Sequence, residues 1–202
     1  MMALAFDLVP EKNKKKVVDF IKSRGMACSV FGALYLLEGL YNAEEDDYAF
    51  SLLTATNDRS WWNMIRTGST ITMEAWDIKY KPNSDWNHAW GAAPANIIPR
   101  CMWGISPVEP GYAKTIIKPQ LSNLNYSKIS VPTIRGVIQA EYKVTEGEKK
   151  YSINVPSNID CDFILRNTRD FLIFFNCNRI ETGVENLSLA PGLNTIVIKS
   201  GI

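Results

Sequence analysis

Residues 105–111 read ISPVEPG, and the hydrophobic periodicity of the chain differs on the two sides of that stretch. Two prolines and a glycine in so short a span break regular structure and mark a boundary. Upstream, to about Ser106, apolar residues recur every three or four positions; downstream, from about Gly111, they alternate with polar ones. The first spacing belongs to helices and the second to strands. The reading is therefore α+β in two domains, helical over residues 1–106 and strand-rich over residues 107–202.

Moving upstream, residues 12–24 predict a helix. Pro10 stands where a missing N–H is tolerated, Val17, Phe20 and Ile21 share a face, and Gly25 can end it. Its basic run KNKKK is a solvated face. Residues 29–41 predict a second helix, with Val30, Phe31, Leu34, Leu37 and Tyr41 in a stripe widened by Leu36 and Leu40. A helix so apolar must be covered on most sides. Glu44, Glu45, Asp46 and Asp47 put carboxylates at the positive end of a third, with Tyr48, Leu52 and Ala55 inward. Ser60 can cap a short fourth over residues 61–66. Residues 67–87 show no periodicity. Residues 88–103 read as a last helix, with Pro94 near its first turn and Pro99 as a kink or break.

Moving downstream, strands are predicted at 115–118, 128–131, 136–144, 150–155, 161–166, 171–175 and 194–199. Glu146-Gly-Glu, Pro156-Ser-Asn and Ala190-Pro-Gly separate several of them. Seven or eight short strands in so short a segment suggest an antiparallel β-sandwich, with Phe171, Phe174 and Phe175 in its core or against the helices.

Composition narrows the function. Charged residues make up 21%, and 22 basic against 21 acidic side chains leave a net charge of +1. Nucleic-acid affinity rests on neutralising many phosphates, so no nucleic-acid partner is expected. No apolar stretch approaches the roughly 20 residues of a membrane span. The opening MMALAFDLVP lacks a basic n-region and reads as core, not as a signal peptide. One histidine and four dispersed cysteines give no metal-clamp spacing, so neither metal nor cofactor is expected. The cysteines read as free buried thiols, with a Cys161–Cys177 bridge as the alternative.

All six tryptophans lie between Trp61 and Trp103, and His88 is among them. Aromatic walls with a few placed polar groups suit sugar rings, which have apolar faces and polar edges. Glycoside hydrolysis needs two carboxyl groups flanking the scissile bond. Glu74 and Asp77 lie in this segment, with Asp85 near.

The order of motifs adds to this. ALAFDLVPE (3–11), YLLEGLY (35–41), GSTITMEAWD (68–77), NHAWGAAPANIIPR (87–100), WGISPVEPGY (103–112) and TIIKPQL (115–121) together resemble the C-terminal part of bacterial α-L-rhamnosidases. The resemblance is specific to about Leu121 and diffuse beyond. It implies the last helices of an (α/α)6 barrel, here incomplete, followed by a β-sandwich. It implies inversion at the sugar, with Glu74 as general base and His88 as a rhamnose ligand; the alternatives are a Glu74 carboxylate that caps or pairs locally and a His88 at a helix N-terminus bonded to a backbone carbonyl. Met73 stands where the family often has tryptophan. The general acid belongs to an earlier barrel segment that this chain lacks, so the chain alone is expected to be inactive.

Trp76, Trp86 and Trp90 are candidate pocket walls, with core packing as the alternative for each. Asp77 is a candidate hydroxyl ligand or an ion-pair partner of Lys79 or Arg66; Lys79 and Lys81 are expected to be exposed. Trp61, Trp62 and Trp103 read as core or inter-domain residues. The implied partners are a rhamnose-containing glycoside or polysaccharide and the remaining N-terminal barrel of a parent enzyme. An incomplete barrel would expose an apolar face and dimerise through it. A non-catalytic carbohydrate-binding or interaction module is the rival reading, and another sugar on the same barrel a third.

Overall fold

A computed structural model describes residues 1–166, 170–181 and 183–200. The fold is α+β, and the chain divides into two compact units, Met1–Met102 and Trp103–Ile202. No helix among the described residues is long and apolar enough to cross a membrane.

The first unit is built on α3 (Val30–Asn42). Ser29 Oγ caps it by accepting from the Gly32 N–H at 3.1 Å. Val30, Ala33, Leu36, Leu37 and Leu40 are each at most 4% exposed, and burial of each larger side chain is worth ~2 kcal/mol. The short α1 (Met2–Ala5) lies on α3 at Gly39, where an added Cβ would sit 3.1 Å from the Ala5 nitrogen. Asn42 Nδ2 fastens the contact by donating to the Ala5 carbonyl at 3.0 Å.

Two of the next three helices depart from expectation in detail. In α2 (Glu11–Arg24) the buried pair is Val18 and Ile21, while Phe20 is 66% exposed. Its contact is a narrow i, i+3 seam turned one residue from the predicted face. In α4 (Asp46–Leu53) Ala49 and Leu52 point inward, and the Tyr48 hydroxyl instead donates to the Lys22 carbonyl at 2.8 Å. Glu44 has φ of 60° and lies outside that helix. α5 (Trp61–Arg66) is as predicted, with Ser60 Oγ accepting from the Asn63 N–H at 3.1 Å.

The expected helix over 88–103 is three segments: a 3₁₀ turn at Ala89–Ala92, α6 (Ala93–Ile97) and a π-helical turn at Ile98–Met102. Pro94 lies in the first turn of α6, where its missing donor costs nothing. Pro99 lies in the π turn, where the chain has widened around the lost hydrogen bond.

The second unit holds two sheets. One contains β1 (Ile105–Pro107), β2 (Lys114–Ile117), β6 (Asp160–Ile164) and β9 (Asn186–Leu189), in that spatial order. The other contains β3 (Tyr126–Thr133), β4 (Gly136–Thr145), β5 (Glu148–Val155), β7 (Phe171–Phe175), β8 (Asn178–Arg179) and β10 (Gly192–Ser200), ordered β3-β4-β5-β10-β7-β8. Alternate residues of β4 and β5 (Ile138, Ala140 and Tyr142; Tyr151, Ile153 and Val155) are buried. The Tyr151 ring meets Phe163 of the first sheet at 5.1 Å.

The purely antiparallel expectation fails at one pair. β2 and β6 run parallel, because the chain between them passes through three strands of the other sheet. In β7 the buried residue is Ile173, with Phe171, Phe174 and Phe175 only half-buried. Trp103 is fully buried and its indole donates to Ser127 Oγ at 3.0 Å. All four cysteines are free, which excludes the Cys161–Cys177 bridge here, but only Cys101 and Cys161 are buried as expected: Cys28 is half-buried, and Cys177 is exposed in the turn beyond β7.

Candidate functional site

The non-periodic stretch turns back on itself through its backbone. The Glu74 N–H donates to the Asp85 carbonyl at 2.9 Å, and the His88 N–H to the Thr72 carbonyl at 2.8 Å. Thr72 Oγ1 returns a bond to the His88 carbonyl, also at 2.8 Å. Two separated sequence motifs are thereby laid side by side. Gly91 permits the closeness: a Cβ there would fall 2.4 Å from Thr72 Cβ.

Glu74 is held at both oxygens. Lys81 Nζ donates to Oε1, and the Asp85 N–H donates to Oε2 at 3.3 Å. The carboxylate side chain is 14% exposed. The Lys81 hydrogen bond, then that of the Asp85 backbone, lowers its pKa below the usual value. Glu74 is therefore ionised at neutral pH.

A cavity of about 450 Å³ opens beside it. Cys28 and Ser29 before α3 contribute one part of its lining, Arg59 a second, and Glu74, Trp76, Tyr80, Lys81 and Trp90 the rest. Trp76 is both wall and core. It is 2% exposed, donates from its indole to the Cys28 carbonyl at 2.8 Å, and meets Trp61 edge-on at 5.0 Å. Trp90 is 49% exposed and stands 5.4 Å from Phe31 and 4.2 Å from the His88 ring.

His88 caps the 3₁₀ turn, its Nδ1 accepting from the Trp90 N–H at 3.3 Å. In the neutral ring this leaves the proton on Nε2. Trp86 is exposed and, like Asp77 and His88, does not line the cavity; His88 reaches it only through its contact with Trp90. The predicted ion pairs of Asp77 are absent among the described residues, since Lys79 and Arg66 both pair with Asp58. Asp77 instead accepts from Asn63 Nδ2 at 2.9 Å and from the Lys79 N–H at 3.1 Å. Both bonds hold its pKa low, that from Asn63 first. Trp61 is half-buried with its indole on the Gly91 carbonyl, whereas Trp62 is half-exposed. No group of three or more His, Cys, Asp or Glu placed to hold a metal occurs among the described residues.

Comparison with known proteins gives this geometry its family. Residues 1–102 match the bacterial alpha-L-rhamnosidase 6 hairpin glycosidase domain, and residues 104–172 match the bacterial alpha-L-rhamnosidase C-terminal domain. The chain belongs to the bacterial α-L-rhamnosidase family. An alpha-L-rhamnosidase of Alteromonas sp. (strain LOR) is 30% identical over 81% of this chain, a span that is 19% of that protein. The alpha-L-rhamnosidase structure from Dictyoglumus thermophilum superposes with a TM-score of 0.86 at 20% identity, covering 98% of this chain and 24% of that one. The Streptomyces avermitilis enzyme complexed with L-rhamnose gives 0.81 at 20% identity, covering 98% of this chain and 21% of that one. The rhamnosidase-family chain thus spans about a fifth to a quarter of the length of these proteins.

Several cavity residues of this rhamnosidase-family chain are not marked by the sequence as site residues, among them Cys28, Ser29, Arg59, Tyr80 and Lys81. Lys81 was expected to be exposed, yet it pairs with Glu74. Its spacing of seven residues from Glu74 lies in a segment without periodicity, so nothing in the sequence marked the contact.

Proposed function

We propose that residues 1–102 are the base-bearing end of an (α/α)6 catalytic barrel and that the strand unit is the sandwich that follows it. The whole enzyme hydrolyses terminal α-L-rhamnosyl glycosides with inversion. The observation that carries this reading is the Glu74 carboxylate: ionised, fixed at both oxygens, and set in the wall of an open, aromatic-lined cavity. A general base must be unprotonated and held within reach of its water. Trp90, half exposed at the cavity, offers a flat face to the sugar, with the buried Trp76 supporting the wall behind it. His88 lies beside the cavity, its ring 4.2 Å from the lining residue Trp90 and its Nδ1 bonded to the Trp90 N–H, and donates from Nε2–H to a rhamnose hydroxyl.

Inversion also needs a protonated acid ~6.5–9.5 Å from the base. Among the described residues, Glu74 is the one carboxylate lining the cavity. Asp77 cannot serve, since its lowered pKa keeps it charged. The acid must come from further polypeptide, and the 202-residue chain alone has no rhamnosidase activity. The barrel segment that supplies the acid also covers the exposed apolar side chains Phe6, Leu8, Phe20 and Ile65; without it the chain self-associates.

The test is hydrolysis of an aryl α-L-rhamnoside by the chain and by an enzyme that carries it behind its upstream barrel sequence. The longer enzyme should turn over and lose orders of magnitude in rate with Glu74→Gln, its fold unchanged. Turnover by the chain alone that disappears in Glu74→Gln would show the acid to be present here. Undiminished turnover in the longer Glu74→Gln enzyme would remove Glu74 from the mechanism.

A further inference from the structure

Resting on that reading of the cavity, we infer that its substrate is an acidic glycoside: Arg59, stacked on Tyr80, receives a carboxylate or sulfate on the sugar bearing the rhamnose. The charges around the cavity point this way. Glu74, Lys81 and Arg59 are its charged lining residues. Glu74 and Lys81 neutralise each other. Arg59 is left with an aromatic partner, its guanidinium carbon 4.5 Å from the centre of the Tyr80 ring.

Neighbouring carboxylates do not answer that charge. Asp58 is taken by Lys79 and Arg66, and Asp77 by Asn63 and the Lys79 backbone. Among the described residues Arg59 forms no ion pair. Its charge acts on Cys28, another lining residue. Burial pushes the Cys28 thiol up to about 11, and Arg59 acts against that rise.

A guanidinium carries five N–H donors in one planar fork, and a ring beneath its central carbon supports the charge without a carboxylate occupying that fork. That fork matches the paired oxygens of a carboxylate or sulfate, and charge-assisted bonds of this kind are about twice as strong as neutral ones. The platform is anchored at its base, because the Arg59 N–H donates to Asn57 Oδ1 at 3.0 Å just before the Ser60 cap. The cavity volume of about 450 Å³ lies within the range for small-molecule sites. Lys81 offsets the repulsion an anion would otherwise meet from Glu74. A neutral sugar can accept from the same donors but without the charge-assisted gain.

The experiment is a titration of the isotope-labelled 202-residue chain with glucose, glucuronate, glucose 6-sulfate and methyl α-L-rhamnoside, followed at the Arg59 Nε–H and the Glu74 amide by NMR. At low ionic strength at least one acidic sugar should shift the Arg59 signal and bind about tenfold more tightly than glucose. Added salt and Arg59→Gln should each abolish that advantage, and Arg59→Lys should retain part of it. Tyr80→Leu, which keeps the cation and removes its platform, should weaken it. Preference for glucuronate identifies a uronic acid, and preference for the sulfate a sulfated sugar. Equal affinity for acidic and neutral sugars, no binding of either acidic sugar, or a preference that survives Arg59→Gln would overturn the inference. The rhamnoside reports separately through Glu74, so loss of the rhamnosidase reading and loss of the acidic subsite give different spectra.

Discussion

Replacing Asn63 by alanine should cost the helical unit ~2–4 kcal/mol. Asn63 is 1% exposed and ties α5 to the loop behind the cavity. Its Nδ2 donates to the Trp76 carbonyl at 3.0 Å and to Asp77 Oδ2 at 2.9 Å, while its Oδ1 accepts from Arg66 Nη2 at 2.6 Å. The Trp76 carbonyl belongs to a buried residue, so losing its donor leaves a group that water does not readily reach, at ~1–3 kcal/mol. Asp77 and Arg66 are more open and recover part of their hydration, so each of those bonds contributes at most ~1 kcal/mol. Urea unfolding followed by tryptophan fluorescence is the assay, because Trp61, Trp62, Trp76, Trp86 and Trp90 all lie in this unit. With a slope of ~2 kcal/mol per molar, the midpoint should fall by about 1–2 M. The deficit also has a pH signature. Asp77 has its pKa lowered first by the Asn63 hydrogen bond, so the stability it confers is present above its unfolded value of ~3.9 and is lost as pH falls through the lower folded value. The difference between variant and wild type should be full at neutral pH and shrink below about pH 4. A midpoint within about 0.3 M of wild type at neutral pH would refute the account of Asn63. A deficit independent of pH would refute the part assigned to Asp77.

Lys81→Met removes the largest influence holding the Glu74 pKa down, so the Glu74 carboxyl should titrate at higher pH by carbon NMR; an unmoved midpoint would show that the ion pair does not form in solution. Gly91→Ala drives a methyl into Thr72 and should destabilise the helical unit by ~1–3 kcal/mol, with shifted Glu74 and His88 amides; a melting temperature within about a degree of wild type would contradict the contact. A thiol reagent should modify the exposed Cys177 at once and reach Cys101 and Cys161, pushed by burial up to about 11 and about 12, only on unfolding. The unfolded, unreduced chain should yield four reactive thiols, and a count of two would show a disulfide.

The larger elements were legible because their patterns were strong. α3 was bounded by a serine that caps it and carries apolar residues on most sides, and it became the centre of its unit. The long strands β4, β5 and β10 contain the predicted segments 136–144, 150–155 and 194–199 and extend them by one to three residues. Weak patterns failed. β8 has two residues and β9 four, too few for an alternation to stand out. β1 lies inside the ISPVEPG stretch, where the prolines hid it. The parallel pairing of β2 with β6 was out of reach for a different reason: periodicity reports which face is buried and carries nothing about which strand lies alongside.

The site was legible only where side-chain chemistry was concentrated. The clustered tryptophans and Glu74 could be singled out, but the bonds that assemble them are backbone bonds in residues 72–88, which leave no hydrophobic period. Those bonds explain how the site is divided. Residues 75–84 leave and return at a neck tied by the 2.9 Å bond between Glu74 and Asp85, and Asp85 also grips the Glu74 carboxylate. The position of the carboxylate is thus fixed at the neck, by Thr72, Gly91 and His88 as well. The excursion beyond the neck supplies Tyr80 and Lys81 to the cavity wall, and α5 is preceded by Arg59 on the same wall. Substitutions inside the loop can therefore alter the charge met by a ligand while leaving the backbone grip on Glu74 in place. The two kinds of variant should separate in measurement: neck variants move the Glu74 and His88 signals together, whereas Arg59 and Tyr80 variants change which sugars bind with those signals unmoved in the free protein.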